Sequence, residues 1–203
     1  MSAITMSLTN VFEYISFTSP LLVVFSITLL SIVQNSLEKG LIFNMGIIIL
    51  SGMVYILKNV IKSKQIIFAS PFCNILPGPF TVRSVEGVFN SPSLSSAILA
   101  FSSTYLIYPM VTTPDYNFPL LVFLITITAI NTVTEYNQSC TDMMGIVLGL
   151  VVGILFGIVY YSILFMTNKK FVYFADTISN NVQCSKPTAQ NFKCKKYKNG
   201  EEI

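Results

Sequence analysis

Charged residues divide this chain into blocks whose lengths suit a bilayer and little else. Between Glu13 and Glu38 lie 24 uncharged residues, between Lys39 and Lys58 18, between Glu86 and Asp115 28, between Asp115 and Glu135 19, and between Asp142 and Lys169 26. A helix needs about 20 apolar residues, roughly 17 to 25, to cross the hydrocarbon core. Each run therefore holds one crossing. The residues are 53% hydrophobic and 10% charged, against about 25% charged in soluble domains. The runs lack the polar–apolar alternation of barrel strands, and lipid-embedded backbone must satisfy its own hydrogen bonds. The expected fold is all-α, a multi-pass transmembrane helical bundle with spans near 18–37, 40–60, 94–112, 117–136 and 143–167.

The first span has no basic region ahead of it and is too long for a removable signal peptide. Aspartate, glutamate, lysine and arginine fall at the span edges, which argues against the intramembrane carboxylate relay of an ion pump. Residues 1–16 place Ile4, Leu8, Val11, Phe12 and Ile15 at helical spacing. They suit either a short interfacial helix or an extension of the first span to a kink at Pro20. The bundle then covers 17–167, and 168–203 form a polar tail.

Gly145, Gly149, Gly153 and Gly157 make a four-residue stripe along the last span. Such a stripe admits a closely packed neighbouring helix, expected to be one of the same chain rather than a second copy. The connections 34–40, 111–117 and 137–141 are short, so consecutive spans are antiparallel neighbours. The segment 62–93 is the long internal loop, and five crossings put the tail on the opposite face. Lysines are nearly balanced between the faces, so the positive-inside rule selects no orientation.

Cys73 and Cys140 share the loop face, while Cys184 and Cys194 lie in the tail. Free thiols are the expectation. A Cys73–Cys140 disulfide, which an oxidising compartment would retain, is the alternative. With no histidine and no close cysteine pair, neither a metal site nor a cofactor is expected. The tail carries seven lysines against Asp176, Glu201 and Glu202. That charge suits anionic headgroups or an acidic partner, and equally a solvated tail. Nucleic acid is disfavoured, because no aromatic–basic interleaving accompanies the charge.

Polar residues gather at three places on the loop face: Lys62-Ser63-Lys64 with Ser70-Pro71, Asn90 to Ser96, and Asn131 to Asp142. The sequence predicts a helix start with Ser91 as cap and Pro92 at its first position. Free amides at a helix start favour a phosphate or carboxylate. Ser93 and Ser95 would contact such an anion, and Lys62, Lys64 or Arg83 would supply counter-charge. Most Ser-Pro-Ser helix starts are caps and nothing more.

The order and spacing of these clusters resemble the type 2 phosphatidic acid phosphatase superfamily of membrane lipid phosphatases. That family shows a Lys ahead of Arg-Pro, then Pro-Ser-Gly-His at a helix start, then Ser-Arg, five residues, His, three residues and Asp. Here Ser70-Pro71 stands at the Arg-Pro place, with Ser63 at the Lys place. Pro92-Ser93-Leu94-Ser95 stands at Pro-Ser-Gly-His. Asn131, Thr132, Gln138 and Asp142 stand at the Ser, Arg, His and Asp of the third motif. "SPFCN" followed by "SPS" is similar to versions of the family in large DNA viruses.

The resemblance implies a nucleophilic His in the third motif, a general-acid His in the second, and Lys and Arg around the phosphoryl oxygens. Both histidines and both arginines are missing here. Serine and glutamine do not titrate near neutral pH, so acid–base assistance worth about 10²–10⁴-fold and the nucleophile itself are lost. The expectation is a pseudoenzyme: a structural or partner-docking membrane protein. Its partner would be a capsid shell or another membrane protein, met through the loop or the basic tail, in a viral internal membrane or a host endomembrane. The alternative is a protein that binds or moves phospholipids through the former cleft. An active phosphatase ranks third.

Overall fold

The computed structural model describes residues 7–65, 70, 73, 83–84, 87–112, 117–168, 171–173, 197–198 and 201–202. The fold is an all-α transmembrane bundle. Five helices run α1 (Leu8–Val33), α2 (Leu37–Ile61), α3 (Leu94–Thr112), α4 (Phe118–Asn137) and α5 (Met143–Thr167). Two-residue antiparallel pairs join Arg83–Ser84 to Gly87–Val88 in the loop and Tyr197–Lys198 to Glu201–Glu202 in the tail.

Among the described residues, four helices are long and apolar enough to cross a membrane: α1 from Asn10, α2, α4 and α5. The helix expected over 94–112 is also present, but its place is the centre of the bundle. Its described apolar stretch, Leu94–Met110, is shorter, and it packs against all four other helices. Phe101, Tyr105, Leu99 and Ala97 on it are wholly buried.

Residues 8–16 are the first turns of α1 and run into the span without a break. Pro20 lies inside this helix, where its missing N–H leaves the Ser16 carbonyl without its usual donor. The Ser19 hydroxyl donates to that carbonyl at 2.7 Å. Hydroxyl repair of this kind lets proline stay within a membrane helix.

The glycine stripe packs within the chain. All four glycines of α5 are buried. A β-carbon at Gly149 would stand 2.5 Å from the Ser93 carbonyl oxygen, and one at Gly153 2.8 Å from the Ala100 β-carbon while colliding with the Ala97 carbonyl. At Gly157 the obstacle is Thr104 at 3.0 Å. The α3 and α5 backbones thus meet where any side chain on α5 would separate them.

The two faces of the bundle are held differently. On the loop face, the Gln138 side chain donates to Glu13 at 2.6 Å, which ties α4 to the start of α1. On the opposite face, the chain leaving α5 turns back so that Val172 and Tyr173 are buried, and the Tyr173 hydroxyl meets Ser31 near the end of α1. Burial pushes the Tyr173 phenol above its usual pKa, and the Ser31 hydrogen bond draws it partly back. Tyr173 also closes an aromatic cluster around Tyr105, whose ring centroid lies 5.6 Å from those of Phe43 and Tyr161.

Cys73 and Cys140 form a disulfide, with Cα atoms 5.3 Å apart. The expectation of free thiols is therefore corrected at this pair. The reason is local: strand-like segments 63–65 and 88–90 pair beneath the α4–α5 turn. Gln65 donates to Val88 at 2.9 Å and Asn90 to Ser63 at 3.1 Å. The Asn90 amide reaches the Cys140 carbonyl at 3.2 Å, and Ser70 N–H reaches Gln138 at 3.3 Å. Loop and turn are thereby held side by side. Cys184, Cys194 and the basic cluster Lys193 to Lys196 lie outside the described residues, as do Pro71, Lys169 and Lys170.

Candidate functional site

The start of α3 is capped by Ser93 rather than Ser91. Its hydroxyl accepts from Ser96 N–H at 3.2 Å, and its own N–H donates to the Gly145 carbonyl at 2.9 Å. Pro92 precedes the cap and is fully buried. Ser91 packs where a Gly145 side chain would stand. The reading of Ser91 as cap missed by two residues because both serines flank the proline and either satisfies the local pattern.

The anion at this helix start belongs to the chain itself. Glu135, near the end of α4, is only 3% exposed. Its carboxylate accepts from Ser93 at 2.8 and 3.0 Å, from Ser96 at 2.9 Å and from Ser95. Hydrogen bonds to an ionised acceptor are about twice as strong as neutral ones, and the α3 dipole adds attraction at this end. Lys58, buried near the end of α2, interacts electrostatically with Glu135. Three elements therefore converge, the 91–96 turn with α3, the end of α4 and, through Gly145, the start of α5, and the end of α2 adds the charge of Lys58.

The remaining sequence-predicted residues have other places. Lys62 is exposed at the end of α2 with a left-handed backbone, φ 52°. Lys64 is exposed and bridges by backbone to Phe89. Arg83 lies in the short pair with Val88. Asp142 is exposed ahead of α5, and its side chain makes no cap hydrogen bond. Ser93 and Gln138 thus answer to different carboxylates, Glu135 and Glu13, and Asp142 joins neither. The Thr132 hydroxyl donates to the Ala129 carbonyl at 2.9 Å.

Sequence reasoning missed Glu135 and Lys58 as site residues because it read both as charges at a membrane edge. A signal was present: Leu124, Asn131 and Glu135, all buried on α4, recur at i, i+7 and i+11 on one helix face. Asn131 is 0% exposed, and among the described residues neither atom of its amide has a hydrogen-bond partner. A buried unpaired amide is costly.

The arrangement can hold a carboxylate firmly. It offers hydroxyl donors already committed to that carboxylate, and an approaching anion would meet the charge of Glu135. No family model, curated protein or solved structure matches the chain.

Proposed function

We propose that this multi-pass membrane protein is a non-catalytic scaffold. Its loop face, stapled by Cys73–Cys140, would be presented to a protein partner such as another membrane protein or a capsid shell. The observation that carries this reading is the Glu135 carboxylate seated among Ser93, Ser95 and Ser96. The residues that would have gathered around a substrate phosphate are used to join α3 to α4. The chain's lack of histidine removes the groups that the lipid phosphatases resembling it use for transfer, so the scaffold would be a pseudoenzyme.

The disulfide suits placement of the loop face in an oxidising compartment, with the basic tail on the other side. The exposed Lys62 and Lys64 favour a second reading, in which this face touches anionic headgroups at the membrane surface rather than in a cleft. The test is phosphate release from phosphatidic acid by the purified full chain in nanodiscs. Release no greater than that of empty nanodiscs is expected. Release above that level, lost in Ser93→Ala, would overturn the scaffold reading.

A further inference from the structure

Two contacts fix how α1 and α4 run past each other. At the loop face Gln138 meets Glu13, and deeper in the bundle Ile27 and Leu124 line one groove. The helices are antiparallel, so each step along α1 is matched by one step back along α4. Three residues on from Glu13, Ser16 stands level with Glu135, and seven residues on, Pro20 stands level with Asn131. The same count, continued, brings Ile27 level with Leu124, so the two contacts agree.

This level is polar although it lies within the spans. Asn131 is wholly buried and Ser16 is 2% exposed. Among the described residues, neither the Asn131 amide nor the Ser16 hydroxyl has a hydrogen-bond partner. Asn131 shares its helix face with Glu135, and side chains on a helix lean toward its N-terminus, which carries Glu135 over the turn of Asn131. From α3, the Ser95 hydroxyl donates to this carboxylate and keeps a lone pair for another partner. Carboxylate, amide and hydroxyl oxygens thus gather here with acceptor capacity to spare.

A buried polar group without a protein partner calls for a ligand or ordered water, and an ionisable group among membrane helices marks a functional site. Oxygen donors suit hard cations. A lone carboxylate beside a lysine supplies too little negative charge to strip a divalent ion of its water. We infer that Glu135, Asn131 Oδ1 and the hydroxyls of Ser16 and Ser95 form a binding site for a monovalent cation, sodium, entered from the loop face. A water carried by the ion accepts from the Asn131 amide N–H. Lys58 is the ion's tethered rival. It is buried and acts on the same carboxylate without a direct ion pair to it. Two cations drawn to one carboxylate repel each other, so the lysine weakens the ion's hold. The site goes beyond the scaffold reading and does not depend on it.

The test is equilibrium binding of radioactive sodium to the full chain in nanodiscs, with choline chloride holding ionic strength constant and circular dichroism checking helix content. Wild type should show a single saturable site. Asn131→Leu, which keeps the side chain's bulk, should abolish it. Lys58→Met should tighten it several-fold, a gain that misfolding does not produce. Sodium should also slow hydrogen exchange along the last turns of α4 several-fold relative to choline. Absence of saturable binding in both wild type and Lys58→Met would overturn the site and assign the Asn131 amide to water alone. Binding that survives Asn131→Leu, or that Lys58→Met leaves unchanged, would overturn it as well.

Discussion

Replacing Glu135 with glutamine keeps the side chain's shape and removes its charge. Two losses follow. Lys58, 8% exposed, loses the opposite charge that acts on it; breaking a contacting buried pair costs about 3–5 kcal/mol in soluble proteins, but these two charges make no direct ion pair. In membrane proteins, polar couplings between helices run nearer ~0.6–1.7 kcal/mol, and this pair lies at the end of its helices, so the lower figure applies. In addition, an amide offers one acceptor oxygen where the carboxylate offered two. At least one of the three serine hydroxyls must then rotate to a poorer partner, at about 1 kcal/mol. Together Glu135→Gln should cost about 1.5–2.5 kcal/mol. Lys58→Met should cost less, because methionine fills the same space and is compatible with lipid. The double variant should be more stable than the sum of the singles implies, by about 1 kcal/mol or more. The assay is reversible unfolding of the full chain in mixed micelles by SDS titration, followed by far-UV circular dichroism. A Glu135→Gln variant within about 0.5 kcal/mol of wild type, or strict additivity with Lys58→Met, would refute the reasoning.

Other outcomes follow from the same packing. Gly153→Val should lower the SDS unfolding midpoint by an amount worth about 1–3 kcal/mol or more, because the obstacle includes the Ala97 backbone. Gly52→Ala, where nothing lies within 4 Å, should be neutral or stabilise by up to ~1 kcal/mol. Peptide mapping without reductant should recover Cys73 linked to Cys140. Reduction should then speed protease cleavage within 62–93 while leaving helix content unchanged, and equal cleavage rates would contradict the staple. Tyr173→Phe removes the hydroxyl that meets Ser31 and should cost about 0.5–1.5 kcal/mol, with Tyr173→Ala costing more through the cavity it leaves.

The helices were legible because charge is excluded from hydrocarbon more strictly than any propensity acts. Expected spans 94–112 and 143–167 coincide with α3 and α5, and 40–60 falls inside α2. The start of α1 was not legible at 18, because the repair of Pro20 depends on Ser19 reaching back to Ser16, and a serine beside a proline signals a break as readily as a repair. The glycine stripe declared its role through spacing alone. The site was half legible. The Ser-Pro-Ser turn and its preference for an anion could be read from local chemistry. That the anion would be Glu135 could not, because charge bracketing treats every carboxylate as a boundary and says nothing of the direction in which it points. Pairing of Cys73 with Cys140 depended on the compartment, which composition does not encode.

The central claim is that the turn opening α3 is filled by a carboxylate of the same polypeptide. A density map of the full chain in lipid nanodiscs, at a resolution that shows side chains, tests it directly. The account predicts Glu135 density joined to the hydroxyls of Ser93, Ser95 and Ser96, with Lys58 close by. Glu135 turned away and a phosphate-sized feature held by those serines would contradict it.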